Sequence, residues 1–239
     1  ATPGDLQARS NLLMLLNYLP DADPARVFAE HLEWGRVAES RIPRLDPAGF
    51  DHDPQRRVRV GYVSPDFREH SVASFIEPVL RHHDRSRFEV CCYSSLPTPD
   101  ETTRRIRAAV DVWHDIDKLS DGEAARLIRE DRIDILVDLS GHTSGGRLGI
   151  FAARPAPVQM TWLGYPNTTG LGTIDYRITD GVADPAGEDA YYSEALLRLD
   201  GCFLCYQPLT VAPEVVPLPA LANGHVTFGS FNNFSKINP

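Results

Sequence analysis

The sequence contains little cysteine and no long apolar run, and both absences narrow the class of protein to which it can belong. Only four cysteines occur in 239 residues, and Cys91 and Cys92 are adjacent inside an apolar stretch, which is typical of buried free thiols. Cys202 and Cys205 have the spacing of a redox or zinc half-site, but no second pair or nearby histidine completes one. We therefore predict no metal site. With neither a signal peptide nor a membrane-length segment, we expect a cytoplasmic protein and no membrane partner.

Positive charge is also in deficit. The chain has 24 Lys and Arg against 33 Asp and Glu, which gives a formal net charge of −9. Because phosphate backbones favour basic surfaces, this balance predicts that the chain has no nucleic-acid partner. A nucleotide is still compatible with the charge, since a few N–H donors at a helix N-terminus and one lysine can bind its phosphates.

The familiar phosphate-binding fingerprints are missing. Neither a GxGxxG motif nor a Gly-Lys-Ser/Thr loop is present, which argues against a nicotinamide or flavin Rossmann protein. What the sequence does contain, from Arg57 onward, is an alternation of strand-like and helix-like segments. That alternation predicts an α/β fold, with a Rossmann-like parallel sheet covered by helices on both faces and preceded by a helical segment. In such sheets ligands bind at the carboxyl ends of the strands.

The element predictions follow from apolar periodicity and from Gly, Pro and Asn punctuation. Strands are predicted at 58–63, 88–93, 112–116, 133–139, 158–163, 175–179, 202–206 and 226–231. Helices are predicted at 71–83, 101–110, 121–128, 147–153 and 190–197.

The loop after the first strand, at 64–70, brings Asp66 and His70 to a helix N-terminus. An aspartate can orient a histidine, and a histidine can take a proton from a hydroxyl nucleophile near neutral pH. The alternative is a helix-capping aspartate beside a solvent-exposed histidine.

Two more loops follow predicted strands and should open on the same edge of the sheet. Around His142 and Thr143, glycines allow close backbone approach to a ligand, although a flexible turn has the same composition. In the next loop Gly164 lets the main chain pass close to a neighbour, and Trp162 and Tyr165 offer flat faces suited to a sugar or a base. A purely structural turn is the alternative there.

The last dozen residues read FGSFNNFSKINP. An apolar strand leads to a polar loop containing Lys236, and Asn238 with Pro239 has the composition of a helix start. Strand, polar loop and helix N-terminus are the arrangement in which α/β proteins hold phosphate groups. A solvated lysine is the alternative. We expect the sequence to be a fragment whose ligand site continues beyond Pro239.

Together these segments closely resemble the protein O-linked N-acetylglucosaminyltransferase family, in particular its bacterial members. The resemblance covers most of 57–239 and is carried by RVRVGYVSPDFREH, DILVDLSGHTSGG, RPAPVQMTWLGYPNTTG, DYRITD and FGSFNNFSKINP. It implies a glycosyltransferase of the GT-B type with two Rossmann-like lobes. By that resemblance, 1–56 is a helical segment and linker following tetratricopeptide repeats, 57–222 is the first lobe, and 223–239 opens the second lobe.

The resemblance also implies an activity. The family transfers a sugar from a nucleotide sugar to Ser or Thr hydroxyls of proteins, with inversion and without a required metal, in the cleft between the lobes. The expected donor is UDP-GlcNAc, which is a substrate, so no cofactor is expected. The expected partners are protein acceptors, the second lobe and the tetratricopeptide region of the same protein.

Site residues carry over by position. The family's active-site histidine falls on His70 and its nearby aspartate on Asp66, while its donor-phosphate lysine falls on Lys236. The expected substrate-binding positions are His142, Thr143, Leu163, Gly164, Tyr165 and Asn233. Three departures affect the fine sugar contacts rather than the reaction class. Animal members have Pro-Thr where Ser71 and Val72 stand, a tyrosine often replaces His142, and Ser235 is not aromatic.

Several alternatives stay open at this point. The general base is His70, Asp66 acting through water, or a donor phosphate oxygen. A branch of the same family uses GDP-fucose, and the loops do not discriminate between the donors. A non-catalytic binding scaffold is a third interpretation, which the joint presence of Asp66, His70 and Lys236 argues against.

Overall fold

A computed structural model describes residues 5–45, 53, 55–208 and 213–231. The described helices are α1 Leu6–Leu16, α2 Pro24–Arg41, α3 Ser71–His82, α4 Glu101–Arg107, α5 Asp121–Glu130, α6 Leu148–Ala152 and α7 Pro219–Asn223. The strands are β1 Val58–Ser64, β2 Phe88–Ser94, β3 Val112–Asp115, β4 Ile135–Asp138, β5 Val158–Thr161, β6 Tyr176–Asp180 and β7 Ala195–Leu199.

Local sequence signals set the helix starts. Asp23 caps α2 by accepting a 3.0 Å hydrogen bond from the Ala25 N–H, and Pro24 occupies the first turn. Ser120 and Glu123 form a reciprocal capping box at the start of α5. These caps satisfy backbone donors that the helices themselves leave unpaired.

All seven strands of the described residues lie in one parallel sheet with the order β3-β2-β1-β4-β5-β6-β7. The order reverses between β1 and β4, and a crevice opens at such a point outside the carboxyl ends of the strands. The predicted α/β fold with a parallel sheet is therefore confirmed.

Helices cover both faces of the sheet. One face packs against α1, α2, α5 and α6 through a core that includes Leu13, Trp34 and Leu136. The other packs against α3 and α4 through a core that includes Val60 and Ile76. Since α1 and α2 share a core with the sheet, they are built into the lobe. The domain limits proposed from the sequence stay predictions.

Three element predictions are wrong. The segment predicted as a helix at 190–197 forms the end of a 3-10 turn, Glu188–Tyr191, and then edge strand β7. A short apolar run cannot be assigned by periodicity alone, and pairing with β6 decides its conformation. The segments at 202–206 and 226–231 were predicted as strands, but neither pairs with a described strand. None of the described helices is long and apolar enough to span a bilayer.

Candidate active site

A cleft of about 880 Å³ opens beside the carboxyl end of β1. Its walls come from the β1–α3 loop, the exposed side of α3, the start of α4 and the segment that follows β7. The lining side chains are polar and charged for the most part, and they include Arg68, His70, Ser74, Glu77, Arg105 and Gln207. The cleft extends from the carboxyl end of β1 toward α4, on the β2 side of the strand-order reversal, and its described lining includes no residue of the loop after β4.

Asp66 and His70 meet at this cleft. Asp66 is buried, and its Oδ1 lies 3.8 Å from His70 Nδ1 and 3.4 Å from an Arg68 guanidinium nitrogen. His70 is partly exposed, caps α3 and lines the cleft. The distance of 3.8 Å is longer than a hydrogen bond, so the two side chains are neighbours without a direct bond.

The cap fixes the tautomer of His70. Its Nδ1 accepts a hydrogen bond from the Val72 N–H at 3.3 Å, so in the neutral ring the proton sits on Nε2. In that state Nε2 is a donor toward the cleft. A base role for Nε2 needs the proton on Nδ1 instead, where Asp66 is the nearest carboxylate. Closing the 3.8 Å gap by less than about 1 Å would form that hydrogen bond.

The arginines along α3 and α4 are already paired. Glu77 accepts from Arg81 at 2.5 Å and from Arg105 at 3.2 and 3.3 Å. The carboxylate of Asp100 accepts from the Glu69 N–H at 2.7 Å and so ties the β1–α3 loop to the start of α4. The positive charges on this wall are therefore paired with carboxylates, and hydrogen bonds hold the loop and the two helices together.

The loop after β4 is held by a buried carboxylate that the sequence analysis missed. Asp138 accepts from the N–H groups of Ser140 and Gly141 and from the hydroxyl of Thr161, at 2.8 to 3.1 Å. Burial raises the pKa of Asp138 to about 6. An acidic residue inside the apolar run IDILVDL was the signal available in the sequence.

His142, predicted to contact substrate, lies behind this loop and away from the cleft. Its Nδ1 is 2.7 Å from the Ser10 hydroxyl of α1, and its Nε2 is 2.9 Å from the Thr169 carbonyl oxygen. Trp34 of α2 packs perpendicular to the ring at 4.6 Å. Burial, together with the neighbouring His31, lowers the pKa of His142 to about 3. The neutral ring thus joins the helical segment to the lobe. Thr143 closes the same loop by donating to the Ser140 carbonyl oxygen at 2.8 Å.

The loop after β5 begins with a tight turn. Leu163 has a φ of +79°, and the Gly164 N–H bonds the Trp162 carbonyl oxygen at 3.0 Å, which closes a γ-turn. A Cβ on Gly164 would lie 2.1 Å from the Leu139 carbonyl oxygen at the end of β4, so only glycine fits. A positive φ in a leucine is unfavourable, and such strain concentrates at functional sites.

Tyr165 does not offer a face to the cleft, contrary to the expectation that its ring could contact substrate. Its ring is buried, and its hydroxyl lies 2.7 Å from His31 Nε2 and 2.9 Å from Asn17 Nδ2. Nothing in the sequence pattern indicated these partners, because they are nearly 150 positions away in the chain. The other two predicted residues, Asn233 and Lys236, lie outside the described residues.

Comparison with known proteins identifies the family. The chain matches the family model described as Glycosyl transferase family 41 over residues 43–209. It is 48% identical to the probable UDP-N-acetylglucosamine--peptide N-acetylglucosaminyltransferase SPINDLY of Arabidopsis thaliana, over 99% of this chain and 26% of that protein. It is also 38% identical to the probable UDP-N-acetylglucosamine--peptide N-acetylglucosaminyltransferase SEC of Arabidopsis thaliana, over 75% of this chain and 19% of that protein. The chain belongs to Glycosyl transferase family 41.

A solved structure supports the same assignment. A mutant of the O-GlcNAc transferase of Thermobaculum terrenum is similar with a TM-score of 0.86 and 42% identity, over 90% of this chain and 42% of that chain. The fold is therefore that of a Rossmann-like lobe of a GT-B glycosyltransferase. The chain spans about a quarter of the length of the curated relatives it matches.

Proposed function

We propose that the longer protein containing this chain transfers N-acetylglucosamine from UDP-GlcNAc to Ser and Thr hydroxyls of proteins, with inversion. The observation that carries the proposal is the Asp66–His70 pair at the carboxyl end of β1, where His70 lines a cleft, in a chain of family 41. The second lobe closes the cleft, the tetratricopeptide region presents acceptors, and the protein acts in the cytoplasm.

In the proposed reaction the acceptor hydroxyl oxygen bonds to the anomeric carbon while the bond from that carbon to the diphosphate oxygen breaks. The hydroxyl proton passes to a base, and UDP leaves with the bonding electrons. His70 serves as the base if its proton moves to Nδ1 and bonds Asp66. Otherwise its Nε2–H positions substrate, and Asp66 through water or a donor phosphate oxygen takes the proton.

The leaving diphosphate gains negative charge in the transition state. Lys236 stabilises that charge in this proposal, a role that a metal ion has in other transferases, so no metal is required. Asn233 approaches the nucleotide, and the Leu163–Gly164 turn contacts the sugar. The side chains of His142 and Tyr165 act from behind their loops, because both are buried against α1 and α2.

The test uses the full-length protein with EDTA present and offers UDP-GlcNAc, UDP-glucose and GDP-fucose in turn. Nucleotide release and mass gain on acceptor protein are measured. Turnover with UDP-GlcNAc supports the proposal, whereas turnover with GDP-fucose alone would assign the chain to the fucosyl branch. Donor binding without turnover would favour a non-catalytic scaffold.

Variants then test the residue roles. Removing an electrostatic stabiliser costs about 3 kcal/mol or more in the transition state, so Lys236→Ala should lower transfer by about 100-fold or more, to the point of abolishing it where the cost is larger. His70→Ala should lower turnover by about 100-fold or more. His82→Ala is the matched control, because His82 ends the same helix and its ring bonds the Pro78 carbonyl oxygen within that helix. Near-normal transfer by His70→Ala or Lys236→Ala would remove that residue from the mechanism.

A further inference from the structure

We propose that Tyr165 is a positioning residue that sets the Leu163–Gly164 turn for the donor sugar, and that α1 and α2 hold Tyr165 in place. The inference rests on the proposed function, because it assigns a cause to the sugar contact of that turn. It adds residues of the helical segment, Asn17 and His31, to the machinery that determines donor binding.

The side chain of Tyr165 is fixed from the helical side. His31 Nδ1 lies 2.7 Å from the Val27 carbonyl oxygen, so this nitrogen carries the proton and Nε2 is an acceptor. The Tyr165 hydroxyl therefore donates to His31 Nε2 and accepts from Asn17 Nδ2. Each of these three hydrogen bonds has a defined donor and acceptor, so the Tyr165 hydroxyl has one favourable position.

The main chain of Tyr165 is fixed from the sheet side. Arg177 of β6 is buried, and one guanidinium nitrogen donates to the carbonyl oxygens of Tyr165 and Asn167 at 2.9 and 3.2 Å. The same guanidinium pairs with Asp184 at 3.1 Å. Arg177 is therefore held on its other side and cannot follow the loop if the loop moves.

The turn itself needs this support. Leu163 is held at a positive φ, a conformation that is unfavourable for a leucine, and strain of this kind persists only where the surroundings over-determine it. Tyr165 is the second residue after Leu163, and both its ends are anchored. Without the hydroxyl anchor, the turn gains alternative conformations, and a sugar bound to it must select one of them.

The decisive experiment compares donor KM with the inhibition constant of the free nucleoside diphosphate in the full-length protein. Tyr165→Phe removes only the hydroxyl. It should raise the KM of the donor that the wild-type protein uses about fivefold or more, because the hydroxyl forms two hydrogen bonds and one neutral hydrogen bond alone corresponds to about fivefold. The inhibition constant of the nucleoside diphosphate should stay unchanged, because that product lacks the sugar.

The matched control is Tyr62→Phe. Tyr62 is also buried and also forms a tyrosine–histidine bond, 2.8 Å to His83 Nε2 at the end of α3. Its ring shares a core with Trp162 and Leu163, but the substitution removes only the hydroxyl that faces His83. It should lower stability to a similar extent and leave donor KM unchanged. His31→Leu should raise donor KM as Tyr165→Phe does, and His31→Gln should raise it less. The double variant His31→Leu with Tyr165→Phe should have a donor KM no higher than that of either single variant.

The possible results distinguish failure of the positioning role from failure of the proposed function. An unchanged donor KM in Tyr165→Phe, an equal rise in the diphosphate inhibition constant, or a fall in kcat alone would overturn the positioning role. An equal rise in donor KM in Tyr62→Phe would do the same. These results presuppose turnover by the wild-type protein, so they leave the proposed function standing. Absence of wild-type turnover with any donor would overturn the proposed function and this inference together.

Discussion

Lowering the pH should loosen the contact between α1 and the lobe through His142. The ring is buried and its pKa is lowered to about 3, whereas in the opened state it takes an ordinary value near 6.5. Both states are neutral above pH 6.5, so the stabilising effect is complete there. As the pH falls below 6.5 the opened state binds a proton that the closed state does not bind, and stability is lost progressively toward pH 3.

Between pH 7.5 and pH 5.0 this linkage amounts to about 2 kcal/mol, or about a 30-fold change in the opening equilibrium. Two neighbouring groups modify the total loss of stability between these pH values. His31 also has a pKa lowered by burial and adds to the loss, whereas the raised pKa of Asp138 acts in the opposite direction below about pH 6. The difference between the wild-type protein and His142→Gln isolates the contribution of His142.

Hydrogen exchange of α1 amides in the full-length protein, followed by mass spectrometry and corrected for intrinsic rates, measures that difference. Gln can keep a donor to the Thr169 carbonyl oxygen and has no proton to bind in this range. The wild-type protein should therefore lose about 2 kcal/mol more protection than the variant between the two pH values. Equal pH dependence in both proteins would refute the reasoning.

Three further predictions concern packing, thiols and the β4 loop. Gly35→Ala should lower the free energy of unfolding by about 1–3 kcal/mol and therefore the Tm, because the new Cβ would lie 1.8 Å from the Gly170 carbonyl oxygen. Gly181→Ala is the control: its Cβ would enter open space, so its Tm should not fall in this way. Peptide-mapped maleimide labelling should modify Cys202 and Cys205, which are exposed, and spare Cys91 and Cys92, which are buried, until the protein unfolds; burial raises the pKa of the Cys91 thiol to about 12. Thr161→Val removes a hydrogen bond to the Asp138 carboxylate and should move its pKa above about 6 in an NMR titration, and an unchanged titration would show that the bond is unimportant.

The parts of this structure that the sequence predicted are those encoded locally. The strand patterns and the Asp66–His70 loop each lie within about ten residues, so their composition carries the information. The roles of His142 and Tyr165 depend on partners 132 to 148 positions away on α1 and α2, and no periodicity encodes such a contact. Glycine-rich turns at strand ends look alike whichever way their side chains point, so the sequence alone predicts that both loops face substrate.

The charge arrangement of the cleft bears on where the donor diphosphate binds. On the described wall, Arg81 and Arg105 both pair with Glu77, Arg68 stands beside Asp66, and Glu69 and Glu101 add further negative charge. A dianionic group placed there would have to displace a carboxylate from its guanidinium partners, which is costly in a partly buried site. For the proposed reaction, this wall is therefore better suited to neutral hydroxyls of the sugar and of the acceptor. The diphosphate would then need positive charge from outside this wall, which is the role proposed for Lys236.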